Sequence, residues 1–450
     1  MTRQFPELLS HLKKSLYLKT NLIMIRTKKM VIFSKTGVQN ERKEDQVRKI
    51  MLQDNKEISV SSEIINYAIE KRRDFHQHPE LGFQEKRTAS IIETELKNMG
   101  FLVKSHIAET GVIGIYNSDV KGPVIMLRFD MDALPIEEEN QVSFKSTNNK
   151  IMHACGHDAH MAIGLGLAKL ISTQIKDIDA TLKFVFQPAE EGLGGAERMI
   201  RDGALLDPKP DYCLGVHVWN EKPTNWIGIT PGPMMAGAVT FKIEIQGKGG
   251  HGAIPNETRD PIIASSQIIN ALQTIISRNV SPLESGVVSI CSIHGGNAFN
   301  VIPQKVELLG TLRYFTPENQ KVIISRFESI VKNNALAFGC ESSIEIQEIT
   351  PPVINDQSVV EIILEHSRKA FPEMVFDTKY QSMGSEDYAF YLNEVPGCFI
   401  FMGAGSQSGN NRFGHHHPRF EIDEAVIQNS ISFLYQAILS LIKNQKNRSS

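Results

Sequence analysis

The chain has 450 residues, 41% of them hydrophobic and 22% charged, an ordinary composition for a soluble protein and enough for two or three cores. A formal net charge of −3 argues against general nucleic-acid binding. No stretch approaches the roughly 20 consecutive apolar residues of a membrane span, so neither nucleic acid nor membrane is expected as a partner.

The charge is uneven along the chain. Residues 1–50 carry 12 Lys/Arg against 4 Asp/Glu, a net of +8, which leaves −11 for the remainder. A secretory signal needs an apolar run of roughly 7 to 15 residues, and this start has only short ones such as Leu22 to Ile25. Residues 1–55 are therefore read as a basic, disordered extension. The five cysteines, Cys155, Cys213, Cys291, Cys340 and Cys398, are odd in number and lack paired spacing. That pattern fits reduced thiols and a cytoplasmic location.

From about Ser62 helix and strand signals alternate. Ile64–Arg73 is helical in period, and Thr88–Met99 is helical and stops at Gly100, as a helix C-cap would. Val124–Phe129, Thr181–Phe186, Tyr212–Val218 and Cys398–Met402 are short continuous apolar strands. Such strands interleaved with helices imply an α/β fold with a mainly parallel sheet covered on both faces. Between Ala238 and Pro351 the texture changes. Val239–Gln246 alternates, Asp260–Ser277 is helical, Gly286–Ile293 and Val306–Tyr314 are strands, Pro317–Phe338 is helical, and Ser342–Glu348 alternates again. That order, βαββαβ, is a ferredoxin-like unit. The expected organisation is an extension over 1–55, a first domain over 56–237, an inserted domain over 238–351, and completion of the first domain over 352–450, with a final helix from Glu424 to Ile442.

Chemistry concentrates where the strands end. The first runs into Asp130 and Asp132, the second into Glu190 and Glu191, and the third carries His217. In open α/β sheets ligands bind beyond the carboxyl ends of the strands. Between Met152 and Met161 the chain reads MHACGHDAHM, and Cys155 and His157 stand around Gly156, where a turn can aim both at one point. Adjacent carboxylates at 190 and 191 repel unless a cation relieves them. One can ligate while the other acts as general base. Alone, the pair would read as solvated glutamates at a helix start, and His217 as a satisfied core histidine. Together with one histidine of the run His415-His416-His417, these residues make five soft-to-borderline ligands. That is too many for one tetrahedral ion and suits two neighbouring ions.

RRDFHQHPELGFQE, LRFDMDALPIEEE, MHACGHDAHM, FQPAEEGLGGAERMI, GKGGHGAIPNETRDPI, NVIPQKVELLGTLR, MGSEDYAFYL and HHHPRFEIDE occur in this order. Across residues 70 to about 440 the chain resembles the amidohydrolase branch of the aminoacylase and carboxypeptidase family of dinuclear metallopeptidases, which includes hippurate hydrolases, N-acyl-L-amino acid amidohydrolases, auxin-conjugate hydrolases and N-acetyldiaminopimelate deacetylases. The resemblance implies a metal-dependent aminopeptidase-like catalytic domain with an inserted lid and dimerisation domain. It implies Cys155, His157, Glu191, His217 and His416 as ligands of two divalent ions, from among Mn²⁺, Zn²⁺, Co²⁺ and Ni²⁺. His415 and His417 remain alternatives to His416. It further implies Glu190 as general base, Asp132 as an orienting aspartate, and His251 reaching the substrate of the other subunit in a homodimer, which could itself pair into a tetramer.

Asn300 and Arg313 are candidates for a substrate carboxylate, since an arginine fork matches one. His76, His78, His153 and His160 are assigned no ligand role. His78 is expected to fix a turn, and His153 and His160 to support the ligands. The activity implied is hydrolysis of N-acyl amino acids, with a carboxypeptidase or dipeptidase, or an N-acetyldiaminopimelate deacetylase, as the nearest rivals. A catalytically silent relative would carry a broken base or ligand, and a cysteine hydrolase would use Cys155 as nucleophile and survive chelators.

Overall fold

The alternating signals resolve into two main sheets in a computed structural model that describes residues 60–175, 178–405 and 413–449. The basic extension expected over residues 1–55 lies outside the described residues. Helices α1 (Ser62–Gln77) and α2 (Lys86–Asn98) precede a hairpin of β1 (Leu102–Ile107) and β2 (Gly111–Tyr116). Then come β3 (Val124–Asp130), α3 (His157–Gln174), β4 (Thr181–Gln187), α4 (Gly195–Arg201), β5 (Tyr212–Pro223) and β6 (Trp226–Gly228). A short β7 (Gly232–Met235) leads into β8 (Gly237–Gln246), β9 (Gly250–His251), α5 (Pro261–Leu272), α6 (Thr274–Asn279), β10 (Gly286–His294), β11 (Val301–Ile302), β12 (Lys305–Tyr314), α7 (Pro317–Ala337) and β13 (Glu341–Thr350). The chain continues through β14 (Val353–Asn355), α8 (Gln357–Ala370), β15 (Val375–Asp377), α9 (Ala389–Glu394), β16 (Gly397–Gly405) and α10 (Ala425–Ser449).

The larger sheet has eight strands in the order β1-β2-β4-β3-β5-β16-β6-β15. Its centre, β4-β3-β5-β16, is parallel. Antiparallel pairs join β1 to β2, β2 to β4 and β16 to β6. Every residue of β4 and β16 is buried, which is why these strands read as continuous apolar runs rather than alternating ones. One face packs Phe129, Phe184 and Ile400 against Ile163 and Leu167 of α3 and Ile431 and Ile438 of α10. The other buries Val185, Met199 and Phe399. By mean hydropathy Ala425–Asn447 of α10 does reach the length and apolarity of a membrane span, but it is mostly buried in this core. A count of consecutive apolar residues passes over it because Gln428, Asn429 and Ser430 interrupt the run.

The second sheet, β10-β12-β8-β13, is antiparallel throughout and follows the βαββαβ order. Its covered face carries Val239, Phe241, Ile243 and Leu308, which pack with Ile268, Leu272, Phe327 and Val331. The helix expected over Asp260–Ser277 is broken at Gln273, whose N–H bonds the carbonyl of Asn270 rather than one four residues back. The Thr274 hydroxyl then takes the Ala271 carbonyl, so the helical ladder restarts instead of continuing.

Register places the two ends of this sheet far apart. Arg313 pairs with Ala238 at the end nearest the larger sheet's sequence, while Lys305 pairs with Gln246 at the other. Beyond Gln246 the His251–Val301 pair of β9 and β11 caps the tip. At about 3.3 Å per residue, the ten residues of β8 separate the ends by roughly 30 Å.

Candidate metal centre

The loop before α3 turns at Gly156, whose φ of +92° disfavours any residue with a Cβ. A Cβ there would also stand 2.4 Å from Val218 Cγ2. This turn sets Cys155 and His157 side by side, just past the carboxyl end of β3 and against the middle of β5. Cys155 Sγ lies 3.5 Å from His217 Nε2. The His217 Nδ1–H donates to the Val218 carbonyl at 2.7 Å, so its Nε2 is the nitrogen left for a ligand role. His157 Nδ1–H donates to the Asp132 carbonyl at 2.9 Å, leaving a buried Nε2 with no hydrogen-bond partner among the described residues and with Asp130 Oδ2 3.6 Å away. His416 Nε2 is 3.3 Å from Glu191 Oε1. Among the described residues five overlapping groups form, each with its ligand atoms within 4.8 Å of one another: Cys155, His157 and His217; Cys155, Glu191 and His416; His157, Glu190 and Glu191; Asp130, His157 and His160; Glu190, Glu386 and Asp387. Cys155 belongs both to the group containing His217 and to the group containing His416.

The electrostatics of this cluster fit a cation. Burial pushes the Cys155 thiol well above its usual range, and the charges of Glu191 and Glu190 push it further. Burial would lower His157, but Asp130 and Asp132 outweigh it and hold a proton on the ring up to about 10. Burial, with His160 and His415 nearby, keeps His217 neutral. Glu190 is driven well above the ordinary carboxylate range by burial and by Glu386, Glu191, Asp387 and Asp132. One thiol, three imidazoles and a carboxylate form a donor set suited to zinc-like divalent ions. The orphaned His157 Nε2 and the crowded carboxylates are what such ions would satisfy.

The triple histidine separates cleanly. His415 Nε2–H donates to the Val218 carbonyl at 3.0 Å and its ring lies tilted against Trp219, centroids 4.7 Å apart. His417 Nδ1 accepts from the Arg419 N–H at 3.0 Å and its ring stacks 4.3 Å from Phe413. Only His416, held at a φ of +65°, is brought to Glu191. His160 accepts the Val218 N–H on Nε2 at 2.9 Å and so donates from Nδ1 to Asp130 at 2.5 Å, a supporting position. His153, expected to support in the same way, is buried without a partner on either ring nitrogen, and burial lowers it to about 4. His76 has more to do than expected. It lies between Asp158 at 2.8 Å and Glu138 at 3.1 Å, while Arg72 holds the same Asp158 oxygen at 2.8 Å. These contacts brace the first turn of α3. His78 donates to the Asp74 carbonyl at the end of α1, in keeping with a turn role.

The Glu190-Glu191 pair hangs from two buried carboxylates. Asp132 accepts both backbone N–H groups, one on each oxygen at 3.0 Å. Glu85 accepts the Ala189 N–H at 3.0 Å and the Thr110 hydroxyl at 2.6 Å. Ala189 itself has a φ of +57°, a left-handed conformation that these acceptors hold in place. Behind the pair, buried Arg128 donates through Nε to Gln187 and through Nη2 to both Glu386 and Asp387, all at 2.8 Å, and through Nη1 to Asp130 at 2.7 Å. Burial raises Glu386 to about 8 and Asp387 to about 6, against the opposing pull of Arg128. Reading the sequence assigned no role to Glu85, Arg128, Asp130, Glu386 or Asp387. A signal was present in VIMLRFDMD: Arg128, Asp130 and Asp132 share one face at a spacing of two, and an arginine in an apolar strand needs carboxylates.

His251 is exposed at the tip of the second sheet, with Val301 opposite and the Asn300 carbonyl accepting the Gly252 N–H. Arg313 lies at the opposite end, where its Nη1 donates to the Thr311 hydroxyl and the Leu312 carbonyl. Within one chain Asn300 and Arg313 are not brought together on a shared substrate group.

Comparison with known proteins agrees with this geometry. The sequence profile described as peptidase family M20/M25/M40 matches residues 126–440. The chain is 37% identical over 375 residues to N-acetyl-L-cysteine deacetylase of Bacillus subtilis strain 168, covering 83% of this chain and 88% of that one. It is 36% identical over 374 residues to IAA-amino acid hydrolase ILR1-like 4 of Arabidopsis thaliana, covering 82% and 84%. Among solved structures, the Bacillus subtilis YXEP protein, described as a dinuclear metal binding peptidase from the M20 family, superposes with a TM-score of 0.74 at 32% identity. That match covers 85% of this chain and 99% of the other.

Proposed function

The chain belongs to peptidase family M20/M25/M40 and is a metal-binding hydrolase of amides, and from that premise we propose that its substrates are N-acyl amino acids, cleaved to a carboxylic acid and a free amino acid. The observation that carries this reading is the convergence of Cys155, His157, Glu191, His217 and His416 from four separate segments, with Glu190 beside them. Relatives that act on an N-acetyl amino acid and on IAA-amino acids support the substrate class.

Those five residues would hold two divalent ions, which lower the pKa of a water and polarise the acyl carbonyl when bound. Glu190 accepts a proton from the attacking water and returns it to the leaving amine nitrogen, the two halves of general acid–base catalysis. Asp132, by holding both backbone N–H groups of the glutamate pair, keeps the base and its ligand neighbour in register. Cys155 is a poor nucleophile in this setting, because a reactive thiol needs a lowered pKa and burial here raises it. His251, at the exposed tip, donates to the carbonyl oxygen of a substrate bound in a second copy as charge builds there. The unpaired outer edge of β10 and the exposed Ile293 and Leu309 support pairing of two chains through this sheet.

The test is a panel of acetyl, benzoyl and indoleacetyl amino acids, N-acetyldiaminopimelate and dipeptides, assayed with Mn²⁺, Zn²⁺, Co²⁺ and Ni²⁺ and after chelation. Hydrolysis of the N-acyl amino acids that is lost to chelator and restored by metal is expected. Faster turnover of dipeptides, or activity that survives chelation, would overturn the reading.

A further inference from the structure

The motif MGSEDYAFYL carries two acids for which the mechanism above has no use, and both lie against the base. Carboxylate oxygens of Glu190, Glu386 and Asp387 all fall within 4.8 Å of one another. Arg128 is buried directly behind them, close enough for the charge of Glu190 to act on it. A guanidinium has five N–H donors. Here Gln187, Asp130, Glu386 and Asp387 each accept from it. Asp387 is spoken for elsewhere as well, since it accepts from Gln187 Nε2 and from the Ala196 N–H. Glu386 Oε1 accepts from Arg128 Nη2 at 2.8 Å and from the Tyr388 N–H at 3.1 Å. Its backbone segment thus fixes the side chain that faces the guanidinium.

We propose that Glu386 is a positioning residue for the base: by occupying Nη2 of Arg128 it prevents the guanidinium from pairing with Glu190, whose carboxylate stays free beside the ligand cluster. The physical reason is competition. An N–H of a buried guanidinium that loses its acceptor turns to a carboxylate within reach of that same N–H, because breaking a buried pair leaves an uncompensated charge. With Glu386 removed, the carboxylate left in that 4.8 Å cluster besides Asp387 is Glu190. A base held in that pairing is turned away from the water it must deprotonate.

The proposal rests on the N-acyl amino acid reading only through the choice of assay. Whichever amide the wild type hydrolyses serves as substrate, and a crystal structure needs none. A wild type inactive on every N-acyl amino acid would sink that reading and leave this one standing. Two variants of matched length decide it. Glu386→Met removes the acceptor, whereas Glu386→Gln keeps a carbonyl oxygen for Nη2. Glu386→Met is expected to lose kcat by roughly 100-fold, the scale of a displaced general base, with KM and bound metal by elemental analysis unchanged. Its crystal structure should have Arg128 hydrogen-bonded to Glu190. Glu386→Gln is expected to recover most of the wild-type kcat. The idea is overturned if Glu386→Met turns over like the wild type, if its Arg128 leaves Glu190 unpaired, or if its loss of kcat tracks loss of metal. Should Glu386→Met fail to fold, Glu386→Gln carries the test alone, and a large drop in its kcat with metal retained would overturn it.

Discussion

Gly156→Ala is the smallest change expected to dismantle the metal centre. The new Cβ would sit 2.4 Å from Val218 Cγ2, whereas ordinary contact begins at 3.4 Å, so about 1 Å of movement is required. Val218 cannot yield freely. It is fully buried and β-branched, its N–H donates to His160, and its carbonyl accepts from both His217 and His415. The φ of +92° adds a backbone cost of roughly 1–2 kcal/mol for an L side chain, and the overpacking about 1–3 kcal/mol more. The strain is relieved either by shifting Cys155 and His157 or by shifting the strand that aims His217. A displacement of this size is several times the roughly 0.2 Å tolerance of metal–ligand distances. The assay is elemental analysis of the purified variant after equilibration with Zn²⁺ or Mn²⁺, alongside thermal melting with and without metal. The expected result is less than one ion per chain, a lower melting temperature, and loss of most of the metal-induced stabilisation. A variant that binds two ions per chain at wild-type affinity would refute the reasoning, because the clash would then have been absorbed outside the ligand turn.

Exchange of the proposed base, Glu190→Gln, should leave bound metal intact while turnover falls by roughly 10² to 10⁴; turnover close to wild type would remove Glu190 from that role. Glu191→Ala and His416→Ala should each lose metal by elemental analysis, whereas His417→Ala should keep it. Metal loss in His417→Ala alone would reverse that assignment. Because His157 holds its proton up to about 10 and the Cys155 thiol is raised, ions held by these two residues would displace a proton from each. Apparent affinity should therefore climb with pH through neutrality and fall as pH drops, with proton release measurable by calorimetry in buffers of different ionisation heat. Ion binding without proton release would contradict the assigned ligands. Mixing inactive His251→Ala and Glu190→Gln chains should restore partial activity in verified heterodimers if the tip histidine acts across the pair.

Much of this arrangement is legible in one dimension because its causes are local. Continuous apolar runs such as Thr181–Phe186 mark strands buried on both faces, and the burial of all of β4 follows from that. The alternation in Val239–Gln246 marks a sheet with one covered face. Cys155 and His157 announce themselves by spacing around Gly156. The hairpin of β1 and β2 escaped notice because its first strand, with no fully buried residue, has no apolar run to show. The break at Gln273 escaped because one altered hydrogen bond leaves no mark on periodicity.

The sequence by itself determined the central strands and the long helices, the change of texture between the two sheets and the chemical kind of the site, since period, composition and ligand-bearing residue types are properties of neighbours along the chain. Only the tertiary structure decided which nitrogen of which histidine is free. His160 commits both ring nitrogens to Asp130 and the Val218 N–H and His415 commits Nε2 to the Val218 carbonyl, while His217 and His157 turn Nε2 toward the cluster because carbonyls of Val218 and Asp132 accept from Nδ1–H. The same holds for Arg128, whose four acceptors come from β3, β4 and the loop before α9. A hydrogen-bond partner that is distant in sequence leaves no local pattern, so its effect on a side chain exists only after the chain has folded.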